Sequence, residues 1–261
     1  DPAYATETAG AFDARWCACG GVYRYERRYF AHVGFWHCSN CERKRPNPQT
    51  SGSSVRLGLE SATVSVDGGE PATMPLTGLY NVYNALAAIG ACRAFGLPEP
   101  AIRAGLAKAQ PAFGRQEVVD IDGRKLRLYL TKNPAGANQV LLLLREIARG
   151  RPPIRVALLL NDRFADGQDV SWIWDVDYEA LAGSAGTWWA GGDRAEDLAV
   201  RLKYAGWGTA STVEHDPERF LDAILSETMA GDDVFVIPTY TAMLDLREEL
   251  ARRGAVAGKL E

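Results

Sequence analysis

The sequence has no long apolar run, little histidine and no excess of basic residues. Its 261 residues include 3 histidines and carry a formal net charge of −4. The apolar run VLLLL at residues 140–144 lies between Asn-Gln and Arg-Glu, which is far short of the roughly 20 residues of a membrane-spanning helix. The acidic balance disfavours a protein that binds nucleic acid mainly through phosphates. A hydrophobic content of 47% is enough for a sizeable core in one or two domains.

Two further absences concern the phosphate-binding loop and the start of the chain. No G-x-x-x-x-G-K-[ST] sequence occurs, so these residues contain no P-loop for nucleotide phosphates. The first residues, DPAYATETAG, contain neither a Met nor a signal peptide. We therefore expect a fragment or a processed chain that begins inside a domain. An odd number of cysteines without a secretion signal favours a reducing cytoplasm.

Four of the five cysteines cluster within residues 15–46, as a C-x-C pair and a C-x-x-C pair around an alternating aromatic segment. They are Cys17, Cys19, Cys38 and Cys41. Two cysteine pairs joined by a β-hairpin are typical of a zinc ribbon, in which bound Zn²⁺ stabilises a segment with little core of its own. Because the first pair is one residue short, His32 or His37 stays an alternative ligand, and a ribbon without metal stays an alternative too. Cys92 is expected to be a small core residue.

Residues 47–110 predict a linker, a hairpin and two helices. NPQTSGSS has the composition of a linker. VRLGLE and ATVSVDG predict a hairpin with a D-G-G turn. PLTGLYNVYNALAAIGACRAFG has apolar residues at helical spacing, with Gly96 as its C-terminal cap, and LPEPAIRAGLAKA predicts a second helix.

From residue 111 onward, apolar strands alternate with amphipathic helices. This pattern predicts a mostly parallel sheet covered on both faces, and hence an α/β protein with domains at residues 1–110 and 111–261. Ligands of such sheets bind beyond the carboxyl ends of the strands. Those ends carry the polar stretches TKNPAGAN, NDRFADGQD, GGDRAED and PTYT. We therefore expect the functional residues of this domain in these loops.

Several motifs resemble those of the Mur ligases. GLYNVYNALAA resembles their G-x-[HY]-N-x-x-N-x-x-A-A stretch, and GRQE resembles their G-R-x-E turn. The cysteine ribbon and four longer stretches resemble one family among them, the MurT ligase-like subunits of lipid II isoglutaminyl synthase. The four stretches are TKNPAGANQ, NDRFADGQDVSWIWD, GGDRAEDLAVRLKYAG and VIPTYTAMLDLR. The resemblance covers nearly the whole chain.

The resemblance implies a fold and a reaction. Residues 1–110 would be the latter part of a Mur-ligase central ATPase domain with the ribbon inserted, and residues 111–261 a Rossmann-like C-terminal domain. MurT subunits, with the glutaminase subunit GatD, amidate the α-carboxyl of D-glutamate in the lipid II stem peptide through an acyl phosphate. The implied cofactors are ATP, Mg²⁺ and structural Zn²⁺. The implied location is the bacterial cytoplasm, at the inner membrane face where lipid II lies. In this family the phosphate loop precedes the ribbon, so this chain alone is expected to hold the phosphates of ATP poorly.

The resemblance also implies nucleotide-binding residues. Asn81 and Asn84 lie one helical turn apart and would contact adenine, the alternative being helix-capping and loop hydrogen bonds. Arg115, which follows Gly114, would contact phosphate or ribose, the alternative being an exposed salt bridge. Three residues at a strand end would contact ribose and the acyl phosphate, and the second is the expected cation for the acyl phosphate. These are Thr131, Lys132 and Asn133.

Residues 161–175 would serve the partner subunit. A MurT aspartate is expected to complete a Cys-His-Asp triad in the glutaminase, because a carboxylate must orient the imidazole that activates the cysteine. Asp175 is our first choice and Asp169 our second. Asp162 and Asp166 are expected to have turn or capping roles. Core packing is expected for Trp172 and Trp174, with docking to the partner as the alternative.

Three other functions stay open. The chain would be a non-catalytic interaction module if it binds its partner but not ATP. It would be a conventional ligase if an amino acid, rather than ammonia, is the nucleophile. Basic and aromatic residues of the ribbon would make it a nucleic-acid binder if its binding to oligonucleotides depends on salt.

Overall fold

A computed structural model describes residues 15–30, 32–111 and 115–256. Contacts divide the chain into two compact units, Asp1–Gln110 and Pro111–Glu261. Each unit is described by itself below. Within the described residues, no helix combines the length and the apolar character needed to cross a membrane.

The first unit begins with a two-stranded ribbon, β1 (Tyr23–Phe30) and β2 (Val33–Cys38). The strands are antiparallel, and Tyr23 pairs with Cys38, so the second pair of cysteines lies at the open end of the hairpin, where β1 begins and β2 ends. Aromatic side chains stabilise this small element in place of a large core, since the rings of Tyr23 and Trp36 lie 4.6 Å apart.

A three-stranded antiparallel sheet follows, packed with two helices. The strands are β3 (Gly52–Leu57), β4 (Ala62–Val66) and β5 (Pro71–Met74), and the helices are α1 (Leu79–Ala94) and α2 (Glu99–Ala107). The predicted hairpin was wrong in one respect, because the D-G-G turn joins β4 to β5 rather than β3 to β4. The short strand β5 escaped prediction because it begins with Pro71, and proline indicates a turn or a strand edge.

Helix α1 buries one apolar stripe, which contains Leu79, Val82, Ala85 and Ile89. It ends just before Gly96, whose φ of +74° is that of a helix-terminating residue. The predicted core position of Cys92 was wrong, because this residue is half-buried. It lies three residues from Ile89 but on the edge of the buried stripe.

The second unit contains a six-stranded sheet in the order β10-β9-β8-β11-β7-β6. Only the hairpin pair β6–β7 is antiparallel, which confirms the mostly parallel α/β sheet. The strands are β6 (Arg115–Ile121), β7 (Arg124–Tyr129), β8 (Ile154–Leu159), β9 (Ala185–Gly191), β10 (Thr212–Glu214) and β11 (Asp233–Pro238). The helices are α3 (Pro134–Ala148), α4 (Ala195–Tyr204), α5 (Pro217–Ser226) and α6 (Tyr240–Arg252).

The core of this unit consists of apolar side chains from the central strands and from the helices that cover them. Leu126, Val236 and Trp189 of the strands are fully buried together with Phe220 and Leu246 of the helices. Burial of such side chains stabilises a fold by about 1.5–3 kcal/mol each. Because β7, β8, β9 and β11 are parallel, their carboxyl ends meet at one edge of the sheet. The predicted functional loops follow these ends.

Candidate functional site

The four clustered cysteines of the ribbon come together as predicted. Their Sγ atoms all lie within 4.8 Å of one another, and they form the metal-capable group found within the described residues. The Sγ atoms of Cys17 and Cys41 are 3.8 Å apart and those of Cys19 and Cys38 are 3.5 Å apart. Two ligands of a tetrahedral zinc with bonds of about 2.3 Å lie about 3.8 Å apart. The geometry and the soft donors therefore fit Zn²⁺.

Local backbone geometry explains how the shortened C-x-C pair still supplies two ligands. The amide of Cys17 donates to the carbonyl of Gly21, and the amide of Gly20 donates back to Cys17, which closes a tight turn. A Cβ at Gly21 would lie 2.7 Å from the Cys38 Sγ atom, so only glycine fits there. The histidine alternatives were wrong, since neither belongs to the cluster and His37 lies 3.8 Å from the carboxylate of Glu26.

The electrostatics of the cysteine cluster favour a bound cation. The backbone amide of Cys19 donates to Cys17 and lowers the pKa of the Cys17 thiol to about 6, against the opposing effect of burial. The amide of Arg43 lowers the pKa of Cys41, but the neighbouring Cys19 and Cys38 side chains and burial raise it to about 12. Without a cation, the four sulfurs therefore cannot all be thiolates near neutral pH. A divalent metal would remove this conflict.

The two asparagines of α1 hydrogen-bond to each other and to the loop before the helix. The Asn81 side-chain amide donates to the Thr77 carbonyl at 2.9 Å, and the Asn84 amide donates to the Asn81 Oδ1 atom at 3.3 Å. The loop bond weighed as an alternative for Asn81 is therefore present. Asn84 is exposed. A contact of either residue with adenine stays a prediction.

A cavity of about 420 Å³ lies elsewhere on the first unit, between the ribbon, β3 and α1. Its lining includes Tyr29, Phe35, Arg45, Val55, Val82 and Tyr83. Neither of the two asparagines lines it, so this cavity does not bear on the adenine prediction. Burial in its wall raises the pKa of Tyr83 to about 12.

Arg115 is exposed and is the first residue of β6, at the edge of the second unit's sheet. It pairs with Tyr129 across the hairpin. A bulge follows directly, where Gln116 has a φ of +61°. The preceding Gly114 lies outside the described residues. The predicted phosphate or ribose contact of Arg115 stays a prediction.

The loop after β7 presents one unpartnered cation. Thr131 is buried, and its amide donates to the Pro238 carbonyl, which ties this loop to the end of β11. The Asn133 Oδ1 atom accepts the amide of Gly136 at 2.8 Å and caps α3. Lys132 is exposed and makes no hydrogen bond or ion pair with any described residue. Of the three predicted residues, Lys132 is thus the one whose charge is available for a ligand.

A buried asparagine, which sequence reasoning missed, organises the carboxyl edge of the sheet. Asn161 is 1% exposed, and its Oδ1 atom accepts the amide of Asp193 at 2.9 Å. Its side-chain amide donates to Thr241 at 2.9 Å and to Asp245 at 3.3 Å. Glycine at position 192 makes room for this network, since a Cβ there would lie 2.6 Å from Asn161. Asn161 therefore ties β8 to the loop after β9 and to α6.

We expect Asn161→Ala to lower the free energy of unfolding by about 2–4 kcal/mol, because it leaves several buried polar groups without partners. Urea unfolding of the purified chain, followed by circular dichroism, would measure this. Asn133→Ala is the matched control, since it removes one exposed cap worth about 1 kcal/mol. Equal losses in the two variants would contradict the organising role of Asn161.

Charged residues surround this buried network. Arg163 pairs with Asp193 at 2.7 Å and with Asp245 at 2.8 Å, and the two carboxylates raise the pKa of its guanidinium. Asp162 pairs with Arg194 at 2.9 Å. Asp166 accepts hydrogen bonds from both the amide and the hydroxyl of Thr241 at the start of α6. Asp162 and Asp166 are therefore engaged within the chain.

Of the other two candidate aspartates, Asp169 precedes a five-residue 3₁₀-helix, Ser171–Asp175, and Asp175 is its last residue. The Asp169 Oδ1 atom accepts the amide of Ser171 at 2.8 Å, and the side chain and amide of Ser171 lower the pKa of Asp169. Asp175 is exposed, and its side chain makes no hydrogen bond or ion pair within the described parts of the chain. Asp175 is thus a free carboxylate, whereas Asp169 is engaged in a local hydrogen bond two residues along the chain.

The expected core packing of both tryptophans was wrong. Trp174 is 53% exposed and Trp172 is half-buried. A 3₁₀-helix repeats every three residues, so Ile173 and Val176 share its inward face and both are 2% exposed. Trp174 instead contacts the exposed Tyr204 of α4, with ring centroids 5.9 Å apart and an interplanar angle of 56°.

Comparisons with known proteins agree with this architecture. Residues 130–243 match the family described as MurT ligase C-terminal. The chain is 36% identical over 242 residues to the lipid II isoglutaminyl synthase (glutamine-hydrolyzing) subunit MurT of Streptococcus pneumoniae, covering 91% of this chain and 53% of that protein. It is 31% identical over 243 residues to the MurT subunit of Staphylococcus aureus strain COL, covering 92% and 53%.

Solved structures show the same fold at lower identity. A pseudomurein peptide ligase type C from Methanothermus fervidus superposes with a TM-score of 0.64 at 20% identity, covering 93% of this chain and 50% of that one. The UDP-N-acetylmuramate-alanine ligase MurC of Thermotoga maritima gives a TM-score of 0.58 at 16% identity, covering 78% and 46%.

The fold and the cysteine site together define a Mur-ligase-like α/β protein with a candidate zinc site. Within that class, residues 130–243 match the MurT ligase C-terminal family, and the chain as a whole is similar to the C-terminal portion of MurT subunits. This confirms the resemblance inferred from the motifs. The chain spans about half the length of the curated relatives it matches.

Proposed function

We propose that this chain acts in the ATP-dependent amidation of the D-glutamate α-carboxyl in the lipid II stem peptide, with ammonia supplied by a GatD-type glutaminase subunit. The reaction would proceed through an acyl phosphate in the bacterial cytoplasm, where lipid II would bring the complex to the inner face of the membrane. Support comes from the MurT relatives, which are named as subunits of a glutamine-hydrolyzing lipid II isoglutaminyl synthase.

The observation that carries the proposal is the free carboxylate of Asp175. It is exposed, lacks a partner within the described residues, and ends the short 3₁₀-helix in the loop that follows β8. A glutaminase cysteine attacks as a thiolate, and its histidine must hold the proton in one orientation. Asp175 would accept a hydrogen bond from the N–H of the partner's imidazole and so fix that orientation. Glutamine hydrolysis would then depend on assembly of the complex.

The resemblance to the Mur ligases assigns adenine to Asn81 and Asn84, and ribose or phosphate to Arg115, Thr131 and Asn133. ATP with Mg²⁺ would supply the phosphoryl group that activates the carboxylate. Lys132 is the free cation suited to an acyl phosphate. No P-loop sequence is present among the 261 residues, so the P-loop's own contacts to the phosphates are not assigned to them.

Partner binding is the direct test of this proposal. The purified chain would be titrated with the cognate GatD-type glutaminase in a calorimeter, and ammonia release from glutamine would be measured for each protein and for the mixture. We expect saturable one-to-one association and glutaminase activity in the mixture alone. Absence of saturable association would contradict the proposed heterodimer.

The aromatic pair at this surface yields a prediction about docking. Trp174 and Tyr204 are 53% and 75% exposed, and their rings contact each other, with Trp174 directly before Asp175 in the chain. Exposed, rigid aromatic residues are frequent hot spots of protein interfaces. We expect Trp174→Ala and Tyr204→Ala each to weaken partner binding by about 10- to 100-fold, as measured by titration calorimetry.

Phe95→Ala is the matched control for these two variants, because Phe95 is an aromatic residue of the first unit that is 85% exposed. It should leave the dissociation constant within about twofold of the wild-type value. An unchanged dissociation constant for both Trp174→Ala and Tyr204→Ala would show that the partner docks elsewhere.

Two other functions each have one supporting observation. A non-catalytic interaction module is supported by the missing P-loop sequence, and an ATP dissociation constant in the millimolar range or weaker would favour it.

A conventional amino-acid-adding ligase is supported by 30% identity over 115 residues, 43% of this chain, to a UDP-N-acetylmuramoyl-L-alanyl-D-glutamate–2,6-diaminopimelate ligase of Clostridium botulinum. A lipid II assay with ammonia or an amino acid as the nucleophile would separate it from the amidating reaction.

A further inference from the structure

Arg201 of α4 is a buried arginine whose hydrogen bonds all go to one short segment. Arg201 is 4% exposed. The Nε atom donates to the Ile173 carbonyl at 3.2 Å, and the Nη2 atom donates to the Val176 carbonyl at 2.6 Å. Its two terminal nitrogens donate to the Glu179 carboxylate at 2.9 and 3.0 Å. The guanidinium therefore holds the backbone at residues 173 and 176 together.

Aromatic rings complete the environment of this guanidinium. Its central carbon lies 5.4 Å from the centroid of Trp174 and 5.2 Å from that of Tyr178. These are cation–π distances, which favour a fixed position of the guanidinium between the two rings. Arg201 thus contacts the segment on both sides of Asp175, although no contact to the Asp175 carboxylate is present.

The carboxylate of Asp175 needs such external support. Its side chain makes no hydrogen bond within the described residues, so only its backbone determines where it lies. That backbone belongs to a five-residue 3₁₀-helix, an element with poor intrinsic hydrogen-bond geometry. Burying a guanidinium is costly, and an apolar residue would cover the same helix at a lower cost. What an arginine adds is directed hydrogen bonds to two carbonyls that flank Asp175.

We propose that Arg201 is a positioning residue for Asp175, which holds the carboxylate where the imidazole of the glutaminase subunit must meet it. This proposal rests on the proposed function of Asp175. Arg201 touches no reacting atom and acts through the backbone of residues 173–176. A displacement of about 1 Å at a reacting centre can lower a rate by about 100-fold. Loss of the hydrogen bonds from Arg201 to this backbone should therefore lower the rate of glutamine hydrolysis.

The test uses the complex of the full chain with its glutaminase subunit. Arg201→Met removes all the directed hydrogen bonds while keeping much of the side-chain volume. We expect kcat for glutamine hydrolysis to fall by about 10- to 100-fold, with KM for glutamine within about twofold, because glutamine binds to the partner. Arg201→Lys, which keeps the charge but cannot reach both carbonyls as a planar fork, should fold and show a smaller loss of kcat.

A double-mutant cycle separates positioning from general destabilisation. If Arg201 acts through Asp175, Arg201→Met should change the rate of an Asp175→Asn complex by less than about twofold. Arg127→Met is the matched control, because Arg127 is 3% exposed and pairs with Asp233 at 2.6 Å in the same unit. It should lower thermal stability to a similar extent but leave kcat within about twofold.

The outcomes distinguish the two hypotheses. The positioning role would be overturned if Arg201→Met lowered kcat by the same factor in the wild-type and Asp175→Asn complexes. It would also be overturned if both Arg201 variants had a normal kcat while Asp175→Asn was impaired. A normal rate for Asp175→Asn would overturn the proposed role of Asp175 and, with it, the reason for Arg201.

Discussion

Replacement of Asp175 by asparagine is expected to lower glutamine hydrolysis by the assembled complex by about 10³- to 10⁴-fold. The amide is nearly isosteric but carries no charge, so it no longer stabilises the imidazolium that forms when the partner's histidine takes the cysteine proton. It also presents an N–H group that favours the wrong imidazole tautomer. Ammonia release from glutamine, followed with a coupled assay, measures the effect. Amidation with free ammonium should be far less affected, because it bypasses the glutaminase.

The matched control is Asp169→Asn in the same loop. The Asp169 carboxylate accepts the amide of Ser171 in its own loop, so we expect a change of less than about fivefold. A large loss for Asp169→Asn with a normal rate for Asp175→Asn would assign the role to our second choice. Undiminished hydrolysis in both variants would show that this loop supplies no carboxylate to the partner.

The second large effect concerns the cysteine ribbon. We expect Cys38→Ser to abolish stoichiometric zinc binding and to unfold the ribbon, since Zn²⁺ contributes about 10–16 kcal/mol of apparent binding free energy at structural sites. Native mass spectrometry would detect one zinc ion per wild-type chain and none in the variant. Because thiolates bind zinc and thiols do not, zinc affinity should also decrease as the pH is lowered.

Cys92→Ser is the matched control for the zinc experiment. Cys92 is half-buried and lies in α1, outside the group of four cysteines. It should bind one zinc ion, like the wild-type chain. A wild-type chain that contains no zinc and still has a folded ribbon would contradict the zinc prediction.

These two predictions concern different levels of organisation. The ribbon site is built from residues close in sequence, and four sulfurs within 4.8 Å already specify a ligand class. The Asp175 carboxylate becomes a candidate only through its surroundings. Asp162, Asp166 and Asp169 are engaged with Arg194, Thr241 and Ser171, and this leaves Asp175 as the unpaired acid of residues 161–175.

The amino-acid sequence by itself determined the alternation of strands and helices in residues 111–256, the location of the polar loops after the strands, and the four ribbon cysteines. These features follow from local periodicity and short spacings, which depend on neighbours a few residues apart. It did not predict the short strand β5, because Pro71 hid it. It also misplaced Trp174, because the choice between a strand, an α-helix and a 3₁₀-helix decides which side chains of SWIWD turn inward.

Only the tertiary structure decided which polar residues are partners. Asn161 meets Thr241 across 80 residues, and Arg201 meets the carbonyl of Ile173 across 28 residues. Such pairs form because β11 enters the sheet between β7 and β8, and α4 packs over the loop after β8. No local pattern encodes these distances, since they result from the summed packing of the whole sheet. For this reason, the sequence predicted that the polar loops lie at the carboxyl edge of the sheet, but it did not predict the individual hydrogen bonds at that edge.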